Sequence, residues 1–368
     1  MRRSGSTLIV NLLLAACQAG AADSGPAEFR VAPDLVIASE DDVPQSFADV
    51  RGVVTDAAGR IYVLEADVPE VRVFSRDGEF IRRIGRGGQG PGEFERPNGL
   101  ALLPGGELAI YDPNADRFTI FDSAGRLAAT HPLMIRSYGY LLDGGLDRDG
   151  RLLDEQSVRV DTTRKLVIRR FDPATGVSDT LAMPECRVEG APYYEFPSGS
   201  MGVPFAAGGY ARVDPAGWLW CAHTATAEAW RLPLEGSAPA DTFASEATPA
   251  PVTAAERDSA ITGVERFMER VGRAEVDFGL IPARKPVLEA VDLDATGRVW
   301  MRVRDSAGPA IHLFAPDRRW IARIRHGQTL SPWHRLAIRG DTVVAVALDS
   351  LDVQRIVRFV VPLGGSEP

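Results

Sequence analysis

The sequence predicts an all-β protein: one six-bladed β-propeller closed by an N-terminal strand, with one helical insertion between blades 4 and 5. Three observations predict it. A Gly-bearing turn recurs between short β-prone runs along most of the chain. Its spacing is close to the length of a four-stranded blade. The last repeat lacks a strand, and the N-terminal region has an unassigned β-prone stretch to supply it. The chain has 368 residues, 45% hydrophobic and 25% charged, with 36 Gly and 26 Pro, a composition able to bury a core.

The N-terminus comes first. Arg2 and Arg3 form a positive region, followed by the short apolar runs Leu8-Ile9-Val10 and Leu12-Leu13-Leu14. This stretch is too short for a permanent membrane helix. Leu14-Ala15-Ala16-Cys17 resembles the bacterial lipobox, which implies a signal peptide over 1–16 and lipidation of Cys17. Gln18 rather than Asp follows, so nothing points to inner-membrane retention. Small and polar residues over 17–27 form a tether. The expected location is the bacterial envelope, lipid-anchored, at the outer membrane facing the periplasm or the surface. The formal net charge of −9 becomes about −11 once Arg2 and Arg3 leave with the leader. That balance leaves no basic stripe and argues against nucleic acid as a partner.

The propeller is expected over 28–368. Its anchor glycines are Gly59, Gly106, Gly150, Gly217, Gly297 and Gly340, separated by 47, 44, 67, 80 and 43 residues. Three steps match a blade of roughly 40–50 residues, and the two long ones carry insertions. Asp and Gly in these turns supply local hydrogen bonds and positive φ. A second turn follows most anchors, as at Ser75–Gly78 and Asp122–Gly125. Blade 6 is read as three strands, 334–338, 342–348 and 354–362, and the stretch from Phe29 to Ala38 as its missing strand.

Gly85–Phe94, Pro97–Ala101, Tyr111–Asn114 and Arg117–Phe121 together resemble an NHL repeat. The whole chain resembles the bacterial six-bladed propeller lipoproteins. In the NHL pattern, residues such as Asp112, Asn114 and Arg117 brace turns and neighbouring blades. The Gly-rich run 85–92 is read as an inter-blade connection with Phe94 packed between sheets. A phosphate cradle would need a following helix N-terminus, and a strand follows instead.

No His-Glu-x-x-His or Gly-x-Ser-x-Gly pattern occurs. The tryptophans Trp218, Trp220, Trp300, Trp320 and Trp333 are read as inter-blade packing rather than a glycan platform. Cys186 and Cys221 form an even pair able to make a disulfide in an oxidising envelope. Aligning innermost strands on the anchor glycines places Arg51, Asn98, Asp143, Tyr210, Glu289 and His334 around the central channel. Such a ring suits a polar ligand or a divalent cation: Ca²⁺, Mg²⁺ or Zn²⁺. Between blades 4 and 5, about 246–286, Thr253–Glu256 reads as a capping box. Ile261, Val264, Phe267, Met268 and Val271 then form one apolar helix face, expected to dock on the propeller.

Two functions follow. The leading one is an envelope-anchored, monomeric binding or scaffold propeller for a protein, glycan or small polar ligand. The alternative, implied by the NHL resemblance, is a metal-dependent lactonase-like hydrolase or a lyase using Asn98, Asp143, Glu289 and His334.

Overall fold

A computed structural model describes residues 25–38, 43–132, 147, 149–160, 163–214 and 216–363. The leader 1–16, Cys17 and the first part of the tether, to residue 24, lie outside them. The chain is a six-bladed β-propeller. Blade 1 comprises Val50–Thr55, Ile61–Glu65, Glu70–Phe74 and Phe80–Ile84. Blade 2 comprises Gly99–Leu102, Leu108–Asp112, Arg117–Phe121 and Leu127–Pro132. Blade 3 shows Leu152–Val160, Thr163–Phe171 and Ser178–Ala182. The strand expected inside it, at Leu142 and Asp143, lies outside the described residues. Blade 4 comprises Gly209–Val213, Trp218–His223, Glu228–Pro233 and Asp241–Ala244. Blade 5 runs through Leu288–Leu293, Val299–Asp305, Gly308–Phe314 and Trp320–Arg325.

Each blade packs against neighbours on both faces, so its middle strands are buried throughout. Every residue of Ile61–Glu65, Glu70–Phe74 and Leu108–Asp112 is buried. The outer strand Phe80–Ile84 instead alternates with solvent. All six anchor glycines have φ between +57° and +86°, a region costly for a residue with a Cβ. In three anchor turns one Asp ties the turn together. Asp56 Oδ1 accepts from Ala58 N and Arg60 N while Oδ2 accepts from Arg60 Nε. Asp147 with Arg151 and Asp294 with Arg298 repeat this. Burial alone would raise Asp56 and Asp294, but the arginine and turn hydrogen bonds more than offset it and hold both below the usual range. Asp214 has no arginine four residues on, and burial pushes its carboxyl up despite the hydrogen bond from Trp220 Nε1 at 2.6 Å.

Closure differs from expectation in two ways. Leu35–Ile37 pairs antiparallel with Gln354–Val360 and completes blade 6. The preceding Ala27–Arg30 does not share that sheet. It lies parallel to Trp320–Arg325 as a fifth strand of blade 5. The cause is packing: Phe29 and Val31 insert beside Phe359 and Ile324 in the seam between blades 5 and 6. Secondly, His334 is not in a strand. Thr329–Leu330 and Ala337–Arg339 both pair with Thr342–Leu348, and residues 331–336 between them loop out.

The helix Ala254–Val271 carries the expected capping box, with Thr253 and Glu256 satisfying each other's backbone N–H groups. Its apolar face does not dock on a blade. Val264 and Met268 pack with Tyr194, Phe196 and Val203 from the insertion before blade 4, whose hairpin pairs Tyr193–Phe196 with Gly199–Gly202. Phe196 and Phe267 meet edge-on at 5.4 Å, and Tyr194 OH donates to the Asp277 carbonyl at 3.1 Å. Sequence spacing revealed the apolar face, but the aromatic hairpin that covers it arrives from some sixty residues upstream on another insertion.

Cys186 and Cys221 are joined by a disulfide, their Cα atoms 5.7 Å apart. The bond closes the seam between blades 3 and 4, beside Leu153, Ile168, Val213 and Leu219.

Candidate functional site

The channel is walled by the innermost strands. Blades 1 and 2 approach closely at Gly52, where a Cβ would stand 3.0 Å from the Leu100 Cβ. Arg51 lies at a register break between Val50 and Gly52, and Glu289 at the matching break between Leu288 and Ala290. A bulge of this kind re-aims one side chain out of the alternating pattern. The shared distance from the anchor glycine therefore reflects a real structural equivalence between these two positions.

Three of the six predicted residues come together. Arg51 donates to Asn98 Oδ1 at 3.2 Å and pairs with Asp49 at 2.7 Å. His334 is buried with Nε2 2.8 Å from the Val50 carbonyl oxygen, one residue from Arg51. A carbonyl only accepts, so Nε2 carries the proton; Nδ1, 2.7 Å from Ser331 Oγ, accepts from that hydroxyl in the neutral ring. The contacts of the other residues lead elsewhere. Glu289 pairs with Arg304 at 2.7 Å, on the adjacent strand of its own blade. Tyr210 OH accepts from Val291 N at 3.0 Å and ties blade 4 to blade 5. Asp143 lies outside the described residues. Glu289, left without a ladder partner by the break between Leu288 and Ala290, is thus engaged by Arg304 of the neighbouring strand, and no hydrogen bond described here links it to Arg51, Asn98 or His334.

Residues 331–336 cross the channel. Arg302, buried and paired with Asp292 at 2.9 Å, donates to the carbonyls of Ser331 and His334 at 2.7 and 2.8 Å. Leu336 N donates to Asp292 Oδ1 at 3.2 Å. From blade 4, Val213 O accepts from Arg335, and Arg212 donates to the Trp333 carbonyl at 3.4 Å. One six-residue excursion thus joins blades 1, 4, 5 and 6. Trp333 on it is 59% exposed. A buried ion pair such as Asp292–Arg302 survives only where its remaining polar atoms find partners, and the crossing carbonyls serve the guanidinium. Sequence reasoning missed Arg302 and Asp292. Their signal was a charged residue amid the otherwise apolar runs Val299–Val303 and Ala290–Leu293.

Ser245 Oγ and His312 Nδ1 are 2.6 Å apart, a distance that suits a nucleophile and its base. The other ring nitrogen accepts from Arg323 Nε at 3.2 Å, so Nδ1 bears the proton and donates to Ser245. Burial pushes His312 down to about 3. The pair is a brace between blades 4 and 5. Trp220 and Trp300 are likewise fully buried, each donating through Nε1 to an anchor-turn Asp. Arg117 holds the carbonyls of Gly90 and Glu93, and Asp112 accepts from Glu95 N and Ala115 N. Phe94, wrapped by the Gly-rich run, is fully buried. Among the described residues no group of three or more His, Cys, Asp or Glu side chains is arranged to hold a metal ion.

A family described as 6-bladed beta-propeller matches residues 49–135, which span blades 1 and 2. Solved structures of similar architecture include a protein of Bacteroides fragilis NCTC 9343 described as exported, 12% identical, covering 91% of this chain and 98% of that one with a TM-score of 0.48. Virginiamycin B lyase of Staphylococcus aureus is 11% identical, with 85% and 95% covered and a TM-score of 0.45. The calcium-binding protein regucalcin of Agrobacterium tumefaciens is 14% identical, with 93% and 98% covered and a TM-score of 0.43. No curated protein matches the chain.

Proposed function

We propose that the chain is a binding propeller of the bacterial envelope, exported by its leader and tethered through lipid on Cys17. The observation that carries the binding reading is the crossing of the channel by residues 331–336. Arg51 is engaged with Asn98, and His334, within that segment, is engaged with the Val50 carbonyl, while Trp333 stands exposed on it. Such a rigid centre suits display of a recognition surface. The eleven residues from Cys17 to Ala27 would reach at most about 36–40 Å, which keeps the propeller close to the membrane.

Two measurements test this reading. Cys17→Ser should abolish fatty-acid labelling and membrane retention; continued labelling would end the anchor proposal. Melting the purified protein with Ca²⁺, Mg²⁺ and Zn²⁺ separates binding propeller from metal-dependent lactonase or lyase. A resident cation at a hundredfold excess over its Kd would add roughly 2.7 kcal/mol by mass action, and Glu289→Ala would remove that gain. The binding reading expects no such rise.

A further inference from the structure

One cleft lies outside the channel. It is a cavity of about 620 Å³ between blades 3 and 4, at the end of the propeller formed by the anchor turns. That size falls within the range of small-molecule sites, about 300–1,000 Å³. Its apolar wall is formed by Leu153, Leu181 and Leu234, its polar rim by Arg151, Arg170, Asp149 and Glu235.

The rim is layered by depth. The side chains of Glu235 and Asp149 are 62% and 61% exposed, those of Arg151 and Arg170 beneath them 30% and 12%, and that of Asp147, deepest of the charged groups lining the cleft, 9%, so the charges alternate in sign with depth. Arg170 pairs with Glu235 at 3.1 Å and with Asp179 at 2.9 Å; Arg151 pairs with Asp147 and Asp149, both at 2.7 Å. An anion entering the cleft meets the outer carboxylates first. A cation passing them meets the two deeper guanidiniums. Neither sign of charge is complemented along the whole path. What the rim does offer is outward carboxylate oxygens and planar guanidinium edges side by side, next to an apolar wall. Hydroxyl groups on adjacent carbons donate to the one and accept from the other, and the C–H face of a sugar ring covers the leucines.

We infer that this cleft is a binding site for a neutral oligosaccharide. The inference goes beyond the channel reading, since the cleft lies at the opposite end of the blades from Arg51 and Asn98.

The test titrates the full-length lipidated protein, in a detergent without a sugar headgroup, with neutral trisaccharides of glucose, mannose and N-acetylglucosamine. Spermidine and tri-galacturonate serve as charged probes, and calorimetry gives the affinities. Ser237→Trp, on the turn lining the cleft, should weaken sugar binding at least tenfold and leave the melting temperature unchanged. Ala238→Trp does the same job should the first variant misfold. Arg51→Ala in the channel should leave sugar binding as it is. The inference fails if no neutral trisaccharide binds, if binding is indifferent to both tryptophan variants, or if spermidine or tri-galacturonate binds more tightly. Loss of binding in Arg51→Ala alone would move the site to the channel and overturn the cleft.

Discussion

The strand Trp218–His223 of blade 4 packs two seams at once, and fills them in different ways. Toward blade 5 it presents Trp220 and Ala222, which join Phe243 and Phe314 in a cluster of buried rings. Trp220 lies 5.2 Å from Phe243, and Phe243 meets Phe314 edge-on at 5.8 Å. Toward blade 3 it presents Leu219 and Cys221, which meet Leu153, Ile168 and Val213. Among the described residues, the fully buried part of that second seam contains no aromatic ring, whereas each of the other five inter-blade clusters contains at least two. Blades splay outward from the axis, so volume must be added toward the rim. Rings supply it in five seams. Between blades 3 and 4 a disulfide holds the sheets together and the space beyond it stays open as the cleft. One seam gains stability from packing, the other from a covalent link that leaves room for a ligand.

The largest effect should come from the ring-filled seam. Trp220→Ala removes a fully buried indole and leaves Asp214 without its Nε1 donor, at a cost of about 3–5 kcal/mol. Equilibrium urea unfolding measures it. A loss below about 1 kcal/mol would mean that the seam repacks freely, and that rings are not what sets the blade spacing.

Breaking the disulfide comes next. It closes a separation of 35 residues, for which the chain-entropy relation gives about 3–4 kcal/mol. The double variant Cys186→Ala/Cys221→Ala should lose that much, with the loss of hydrogen-exchange protection concentrated in Leu152–Phe171 and Gly209–Val213. Protection lost evenly around the ring would show that the link acts on the whole domain rather than on this seam.

Acid separates the seams in a third way. His312 braces blades 4 and 5, and His326 stacks on Phe359 between blades 5 and 6. Burial is the main cause that pushes them down, to about 3 and about 4. Both stay neutral in the fold while the unfolded chain takes up protons below about 6.5. Their contribution is therefore complete above that pH and falls away as pH drops toward 4 and then 3. By pH 4.5 the loss is about 2–3 kcal/mol for each at most. Asp56, Asp294 and Asp305, held below the usual carboxylate range, add a further loss only below about pH 4. His312→Gln should flatten the melting curve between pH 6.5 and 4.5. An unchanged slope would remove His312 from the acid response.

The blade plan was legible because the same constraint repeats: a turn needing positive φ takes Gly, and an Asp that ties it stands three residues before. Gly59 and Gly297 announce themselves in this way. The closing segment was half legible. Leu35–Ile37 reads as a strand, but nothing local says that Phe29 belongs to a different sheet, since its partners lie near residue 324. The channel was less legible still. Counting from the turns put Arg51 and Glu289 at equivalent places, which the structure shows as matching register breaks, and set Asn98 in the same ring as Arg51, its hydrogen-bond partner. It could not foresee that residues 331–336 would leave the strand, because that excursion is stabilised by Arg302 and Asp292 from blade 5. Tertiary hydrogen bonds to a loop leave no periodic trace in the loop itself.

The smallest effect is also the sharpest test of the contrast. If the seam between blades 3 and 4 is underfilled, an added ring there should find space. Leu181, partly buried on the cleft wall, is the position to enlarge. Leu181→Phe should stabilise the protein by about 0.5–1 kcal/mol, as cavity-filling substitutions do. The control enlarges a residue in a filled seam. Ala109 is fully buried between blades 2 and 3, in the cluster with the stacked rings of Phe118 and Phe171 at 4.6 Å. Ala109→Leu should cost about 1–3 kcal/mol through overpacking. Opposite signs in thermal melts would establish that the two seams differ in unfilled volume rather than in hydrophobicity. If both variants destabilise alike, the cleft walls are as rigid as a packed core, and the missing rings did not create the opening.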